Sequence, residues 1–210
     1  MKARFSDMTP RTYQRKANNT DTLVYLSVFT ALVIVLQCLA SFVFPKIGVS
    51  LNLSLIPIVI GSALCNKWAG AWLGFVSSFI ILFDPTTVGF MTFNTPATIF
   101  LVLFKGTMAG LVAGLIYSIL EKKNKYVAVT VAAALAPIVN TGIFFGGCFL
   151  FFAPYIQEVQ AALVSAGNDV PSNIVLFVII VFIGINFLIE FGVNLLFVPI
   201  ISRLINIKAR

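Results

Sequence analysis

Long apolar runs separated by short polar breakers fill this chain between residues 22 and 202. The runs have the length of helices, and they lack the regular alternation of apolar and polar residues that strands of a membrane barrel need. We therefore predict an all-α membrane protein, a bundle of six transmembrane helices. The predicted spans cover residues 22–44, 53–65, 68–83, 96–120, 126–152 and 173–202.

The second and third spans are short. At ~1.5 Å per residue, a helix over residues 53–65 covers only about 20 Å of a ~30 Å hydrocarbon core. We expect both to be tilted, tucked in or flanked by non-helical chain, with a binding site near their outer ends. The polar stretch at residues 84–95 predicts an outer loop, either a lid or an interfacial connector. Residues 153–172 predict a second outer loop.

Composition agrees with a membrane protein, because 60% of the residues are hydrophobic and only 10% are charged. The net charge of +7 does not indicate a nucleic-acid partner, since the basic residues stand at the ends of apolar runs and form no patch. If the chain crosses the membrane six times, all lysines and arginines except Lys46 and Lys105 lie on the same side of the membrane. Because basic residues collect on the cytoplasmic side, we predict that both termini are cytoplasmic. The predicted organisation is a basic cytoplasmic tail (1–21), a membrane domain (22–204) and a second cytoplasmic tail (205–210). The residues on the predicted inner side are Lys2, Arg4, Arg11, Arg15, Lys16, Lys67, Lys122, Lys123, Lys125, Arg203, Lys208 and Arg210.

Charged and amide side chains stand inside several apolar runs. A charge at bilayer depth is costly, so Lys105 and Glu190 indicate a site for a polar solute, or alternatively a structural ion pair. Asn186, Glu190 and Asn194 recur every four residues and share one helix face. Counted at ~1.5 Å per residue, Lys105, Asn140, Asn186 and Glu190 reach one depth. Three spans therefore are predicted to supply polar groups to one place.

The sequence contains few of the residues and motifs that enzymes use for catalysis. It has no histidine and no GxxxxGK[ST] loop, which removes histidine-based catalysis and ATP hydrolysis by that motif. Cys38, Cys65 and Cys148 are isolated in apolar stretches, and no acidic metal-binding cluster accompanies them. We predict a protein that is not an enzyme and has no metal or other cofactor.

Small residues recur at four-residue spacing on two spans. Gly106, Gly110 and Gly114 form a groove in which another helix can pack closely, either a helix of this chain or a separate subunit. Ser27 and Ala31 repeat the spacing in the first span.

Three stretches resemble the S component of energy-coupling factor (ECF) transporters. The resemblance implies a membrane subunit of the bacterial plasma membrane, embedded in lipid, that captures a vitamin outside. Its partner would be an ECF module of a transmembrane coupling protein and two ATPases. The stretches are CNKWAG (65–70), FNTPATIFLVLFKGTMAGLVAGLIY (93–117) and APIVNTGIFFGG (136–147). The substrate-binding residues carried over from the resemblance are Asn94, Lys105, Asn140, Asn186, Glu190 and Asn194.

The resemblance also implies a docking motif, Ala-x-x-x-Ala, in the first span. Ser27 and Ala31 keep its small residues, whereas Val35 departs from the spacing. Riboflavin and pantothenate are the ligands of similar family members, and Lys105 favours a carboxylate such as pantothenate. The alternative is a stand-alone secondary transporter in which Glu190 takes up and releases a proton.

Overall fold

A computed structural model describes residues 19–43 and 52–208, and helices make up most of these ranges. π-helical turns extend the first and seventh helices, at Leu39–Val43 and Val178–Ile183. The helices are α1 (Asn19–Cys38), α2 (Leu55–Leu64), α3 (Lys67–Ile81), α4 (Pro85–Leu120), α5 (Lys125–Phe151), α6 (Ala153–Ser165), α7 (Ile174–Phe177), α8 (Gly184–Leu196) and α9 (Val198–Lys208).

Four helical stretches in the described ranges are long and apolar enough to cross a membrane, and three shorter apolar helices accompany them. The protein is therefore a multi-pass helical membrane protein. The count of six spans and the cytoplasmic termini stay predictions, and most of the predicted N-terminal tail lies outside the described residues. The long stretches are Thr20–Val43, Pro85–Leu120, Lys125–Phe151 and Asn186–Ile205; the shorter ones are Leu55–Leu64, Lys67–Ile81 and Ile174–Ile183.

Side chains in the polar breakers start several of these helices. The Asn66 side chain accepts a hydrogen bond from the backbone N–H of Ala69 at the start of α3. Asp84, Asn124 and Asn173 cap α4, α5 and α7 in the same way. Such a cap satisfies backbone donors that have no partner in the first turn. The breakers thus set where the helices begin.

The prediction of a loop at residues 84–95 is wrong, because α4 starts at Pro85 and runs on to Leu120. Asp84 caps it, and a proline in the first turn loses no helical hydrogen bond. A kink at Asn94 (φ −149°, ψ 89°) divides the helix. Pro96 has no N–H to donate, which weakens the helix at this point, and the Asn94 side chain accepts from the Ala97 N–H at 3.2 Å.

The segment after α5 also differs from the prediction. Residues 153–172 contain the helix α6, whose Ile156 is fully buried. The predicted span over residues 173–202 is broken at Gly184, where the backbone takes φ +39°. At Phe197, between α8 and α9, the hydrogen bonds from the Phe197 N–H to Val193 and from the Ile201 N–H to Phe197 keep the helical spacing. α9 continues to Lys208, so the predicted domain boundary at residue 204 falls inside a helix.

α3 and α4 pack with their backbones in contact. A Cβ added at Gly70 would meet the carbonyl oxygen of Gly110, and one added at Gly74 would meet that of Gly106. Small residues in register allow two helices to approach this closely. The groove on α4 is therefore filled by a helix of the same chain.

Buried apolar side chains form two clusters towards opposite ends of the α4–α5 hairpin. The larger packs α2 and the alanines of α5, such as Ala132 and Ala136, against α9. The smaller is rich in aromatic rings and contains Phe90, Phe152 and Phe177. The candidate site borders this second cluster.

Candidate functional site

A cavity of about 630 Å³ lies at the end of the bundle where α4 begins and α5 ends. Its size is that of a typical site for a small organic molecule. Residues of α1, α4, α5, α6 and α8 contribute to the wall, as do Ile81 of α3 and the π-helical turn before Gly184. The lining residues are Gln37, Ala40, Ser41, Asn52, Ile81, Asp84, Pro85, Thr86, Thr87, Gly89, Phe90, Thr98, Leu101, Val102, Lys105, Asn140, Thr141, Phe144, Phe152, Tyr155, Val159, Val181, Phe182, Ile183, Asn186, Phe187 and Glu190.

Four of the residues predicted to bind substrate lie together on this wall. α4 contributes Lys105, α5 contributes Asn140, and α8 contributes Asn186 and Glu190. The sequence analysis predicted this arrangement, because it placed the four residues at the same depth in the membrane. The structure places them in one cavity, and their role in binding stays a prediction.

Lys105 and Glu190 form no direct ion pair with each other in the described part of the chain. The Lys105 Nζ lies 5.0 Å from the centroid of the Phe144 ring, a cation–π distance. The carboxylate of Glu190 is faced by the backbone amide of Asn52. Both charges therefore remain open to a group placed between them.

Asn140 is 8% exposed, and in the described residues no hydrogen bond involves its side-chain amide. An amide carries two donors and an acceptor with two lone pairs, and the amide of Asn140 is not among the fully buried, unpartnered side-chain groups of the described residues. Because Asn140 lines the cavity, a ligand or water there can provide the missing partners.

Sequence reasoning missed a network of buried polar side chains that borders the cavity. Gln37 of α1 accepts hydrogen bonds at Oε1 from the hydroxyls of Ser54 (2.8 Å) and Ser77 (2.9 Å). Its Nε2 donates to Ser41 at 3.1 Å. Gln37 and Ser41 both line the cavity. The signal was present, since Gln37 is an amide inside an apolar run like Asn140.

Aromatic and aliphatic side chains form the rest of the wall. The centroid of Phe90 lies 5.1–5.8 Å from those of four other rings, and this cluster joins α4, α5, α6 and the π-helical turn before Gly184. α6, absent from the prediction, brings Tyr155 and Val159 to the cavity. A helical signal existed in Ile156, Val159 and Leu163, which are spaced as one face of a helix. The other rings near Phe90 belong to Phe144, Phe152, Tyr155 and Phe182.

The two remaining predicted binding residues are not on the cavity wall. Asn94 caps the second part of the kinked α4. Asn194 is 1% exposed, and its Nδ2 donates to the backbone carbonyl of Glu190 at 2.9 Å. Both amides thus have roles in the helices that carry them.

The residues predicted to dock a partner lie on an exposed face. Ser27 and Ala31 are exposed on α1, beside Val24, Val28 and Val35, which are 56–59% exposed. The Ser27 hydroxyl bonds within its own helix, to the Leu23 carbonyl. This face of α1 is exposed and largely apolar.

The described residues contain no group of three or more His, Cys, Asp or Glu side chains that could hold a metal ion. Besides aliphatic side chains, the wall of the cavity contains amides, hydroxyls, aromatic rings and charged groups of both signs. These groups bind by hydrogen bonding, stacking and ion pairing.

Comparison with curated proteins and with solved structures yields no match. Comparison with protein families yields one, to the substrate-specific component of ECF transporters, over residues 21–202. This match includes every residue of the cavity wall. The chain belongs to the family of ECF transporter substrate-specific components.

Proposed function

We propose that this chain captures a vitamin on the outer side of a bacterial plasma membrane, with riboflavin and pantothenate as the named candidates. An ATP-driven module of a coupling protein and two ATPases then moves the vitamin inward. Family membership gives the role of a substrate-binding subunit. The vitamin, the ATP-driven partnership and the binding residues are the proposal.

One observation carries it. Lys105, Asn140, Asn186 and Glu190 come from three separate helices and meet on one cavity wall. Charges and amides at membrane depth are costly, and they persist where they serve a polar solute. A cavity of about 630 Å³ is large enough for a vitamin.

The experiment is a thermal-shift screen of the purified full chain in detergent against the B vitamins. A ligand that binds the folded state raises the melting temperature as its concentration rises. We expect one vitamin to do so, and Lys105→Met or Glu190→Gln to weaken its binding more than tenfold, about 1.4 kcal/mol.

Matched controls are Lys122→Met and Glu158→Gln, which make the same changes at exposed positions away from the cavity. Both should bind as the unmodified protein does. A screen in which no vitamin shifts the melting temperature would overturn the proposal.

A further inference from the structure

The described wall of the cavity contains two acidic side chains and one basic side chain. Lys105 supplies the cation, while Asp84 and Glu190 supply two carboxylates. Asp84 is partly engaged, since it accepts hydrogen bonds from the backbone N–H (2.9 Å) and the hydroxyl (2.6 Å) of Thr86. An anionic ligand would add a further negative charge beside these carboxyl groups, at a protein wall where charges interact more strongly than in bulk water.

Lys105 and Glu190 stand apart, so one ligand group can contact both. A lysine ammonium only donates hydrogen bonds, and an ionised carboxylate only accepts them. The group that satisfies both has an acceptor for Lys105 next to a donor for Glu190. A carboxylate satisfies Lys105 alone and leaves Glu190 facing a like charge.

The amide side chains on the wall also match a ligand group that has a hydrogen-bond acceptor next to a donor. Asn140 has no partner in the described residues and offers both a donor and an acceptor to the cavity. Asn186 lies on the same wall. Amide side chains pair with lactam or amide edges, which present one donor and one acceptor side by side.

The aromatic rings set the shape of the ligand. Phe144, Tyr155, Phe182 and Phe187 line the cavity and are half-buried, whereas Phe90 and Phe152 border it but are buried among other rings. Rings so arranged favour a planar ring that stacks on them or meets their edges, worth about 0.5–1.5 kcal/mol per ring pair.

We infer that the ligand is a planar nitrogen heterocycle without net negative charge, whose edge carries a hydrogen-bond acceptor next to a donor. This inference rests on the proposed function and narrows its substrate class. It reverses the preference for a carboxylate that Lys105 alone suggested. Of the two named vitamins, riboflavin fits this description and pantothenate does not.

The experiment measures binding to the purified full chain of three compound pairs that differ in charge on the same skeleton. They are nicotinamide and nicotinate, riboflavin and riboflavin 5′-phosphate, and pantothenol and pantothenate. We expect a ring compound to bind, and its uncharged member to bind at least ~10-fold more tightly than its anionic member. Glu190→Gln should weaken the binding of the uncharged member and strengthen the binding of the anionic member. A variant that gains affinity for the anion cannot owe the gain to misfolding.

Preference for the anionic member, equal affinity within the pair, or tightest binding of pantothenate would overturn the inference and leave the proposed function intact. The inference would also be overturned if Lys105→Met lost ligand binding while Glu190→Gln bound the ligand as the unmodified protein does. If none of these compounds and no B vitamin binds, the proposed function itself fails, and the inference fails with it. Glu158→Gln serves as the control, because this exposed residue lies outside the cavity wall.

Discussion

Asn94 and Asn140 are both side-chain amides near the cavity end of the bundle, yet they have different partners. Asn94 is held by the backbone of its own helix, while Asn140 has no partner in the described residues and faces the cavity. A helix cap contributes to the stability of the fold, and an amide open to a cavity can contribute to binding. The two residues can therefore be separated by experiment.

We predict that Asn94→Ala lowers stability by about 1 kcal/mol through loss of the cap and changes ligand affinity by less than about threefold. Asn94→Ser, which keeps a capping oxygen, should restore the stability. Asn140→Ala should lower affinity about tenfold or more, since the ligand loses its amide partner. Melting curves with and without ligand measure both quantities. A large loss of affinity in Asn94→Ala would return this residue to the binding site.

Gln37 joins three serines in a buried network at the cavity. We predict that Gln37→Leu, of similar volume, destabilises the protein by about 1–3 kcal/mol, because the three hydroxyls lose this partner in an apolar interior. Thr130→Ala is the control, as its hydroxyl bonds only to its own helix at an exposed position. Equal melting temperatures for the two variants would contradict a structural role for the network.

At the scale of elements, the helices near the cavity depart most from regular geometry. α4 is kinked at Asn94, and the chain before α8 is π-helical and turns at Gly184. Irregular backbone at membrane depth is tolerated where it is buried in protein or lines a cavity. The turn before α8 brings Phe182 and Ile183 to the cavity wall. The irregular backbone and the site thus occupy the same region.

The regular part of the bundle depends on the contact between α3 and α4. We predict that Gly110→Ala costs about 1–3 kcal/mol of stability, because the added Cβ meets the backbone of Gly70 and the helices must move apart. Gly142→Ala is the matched control on α5, where an added Cβ meets nothing within 4 Å. That change should be neutral or stabilising by up to ~1 kcal/mol, since alanine favours helix more than glycine does. Melting temperatures in one detergent test both, and equal effects would show that the contact is not tight.

For the molecule as a whole, the sequence predicted the grouping of polar residues at the cavity better than it predicted the helices and breaks of the chain. Lys105, Asn140, Asn186 and Glu190 could be placed together because the helical rise fixes depth along each span. The helix at residues 85–95 and α6 could not be found by apolar run length, because threonine, asparagine and glutamine interrupt their apolar residues. The break at Gly184 depends on tertiary packing, which the apolar run over residues 173–202 does not reveal.

α1 has two distinct faces. Val33 and Gln37 are buried, as are Ala40 and Ser41 in the π-helical turn that extends α1, and all but Val33 line the cavity. Ser27 and Ala31 lie on an exposed face of the same helix. The same helix thus borders the proposed ligand and offers a surface for the proposed coupling protein.

We predict that Ala31→Trp prevents assembly with the ECF module and abolishes vitamin uptake, while the isolated protein binds its ligand with unchanged affinity. A bulky ring at this position would keep a partner helix from close approach, whereas small residues permit it. Leu150→Trp is the control, since Leu150 is 75% exposed on α5, away from the α1 face. Co-purification with the coupling protein measures assembly, and ligand titration of the isolated chain measures binding. Normal assembly of Ala31→Trp would place the docking surface elsewhere, and lost ligand binding would mean that the substitution disturbs α1 itself.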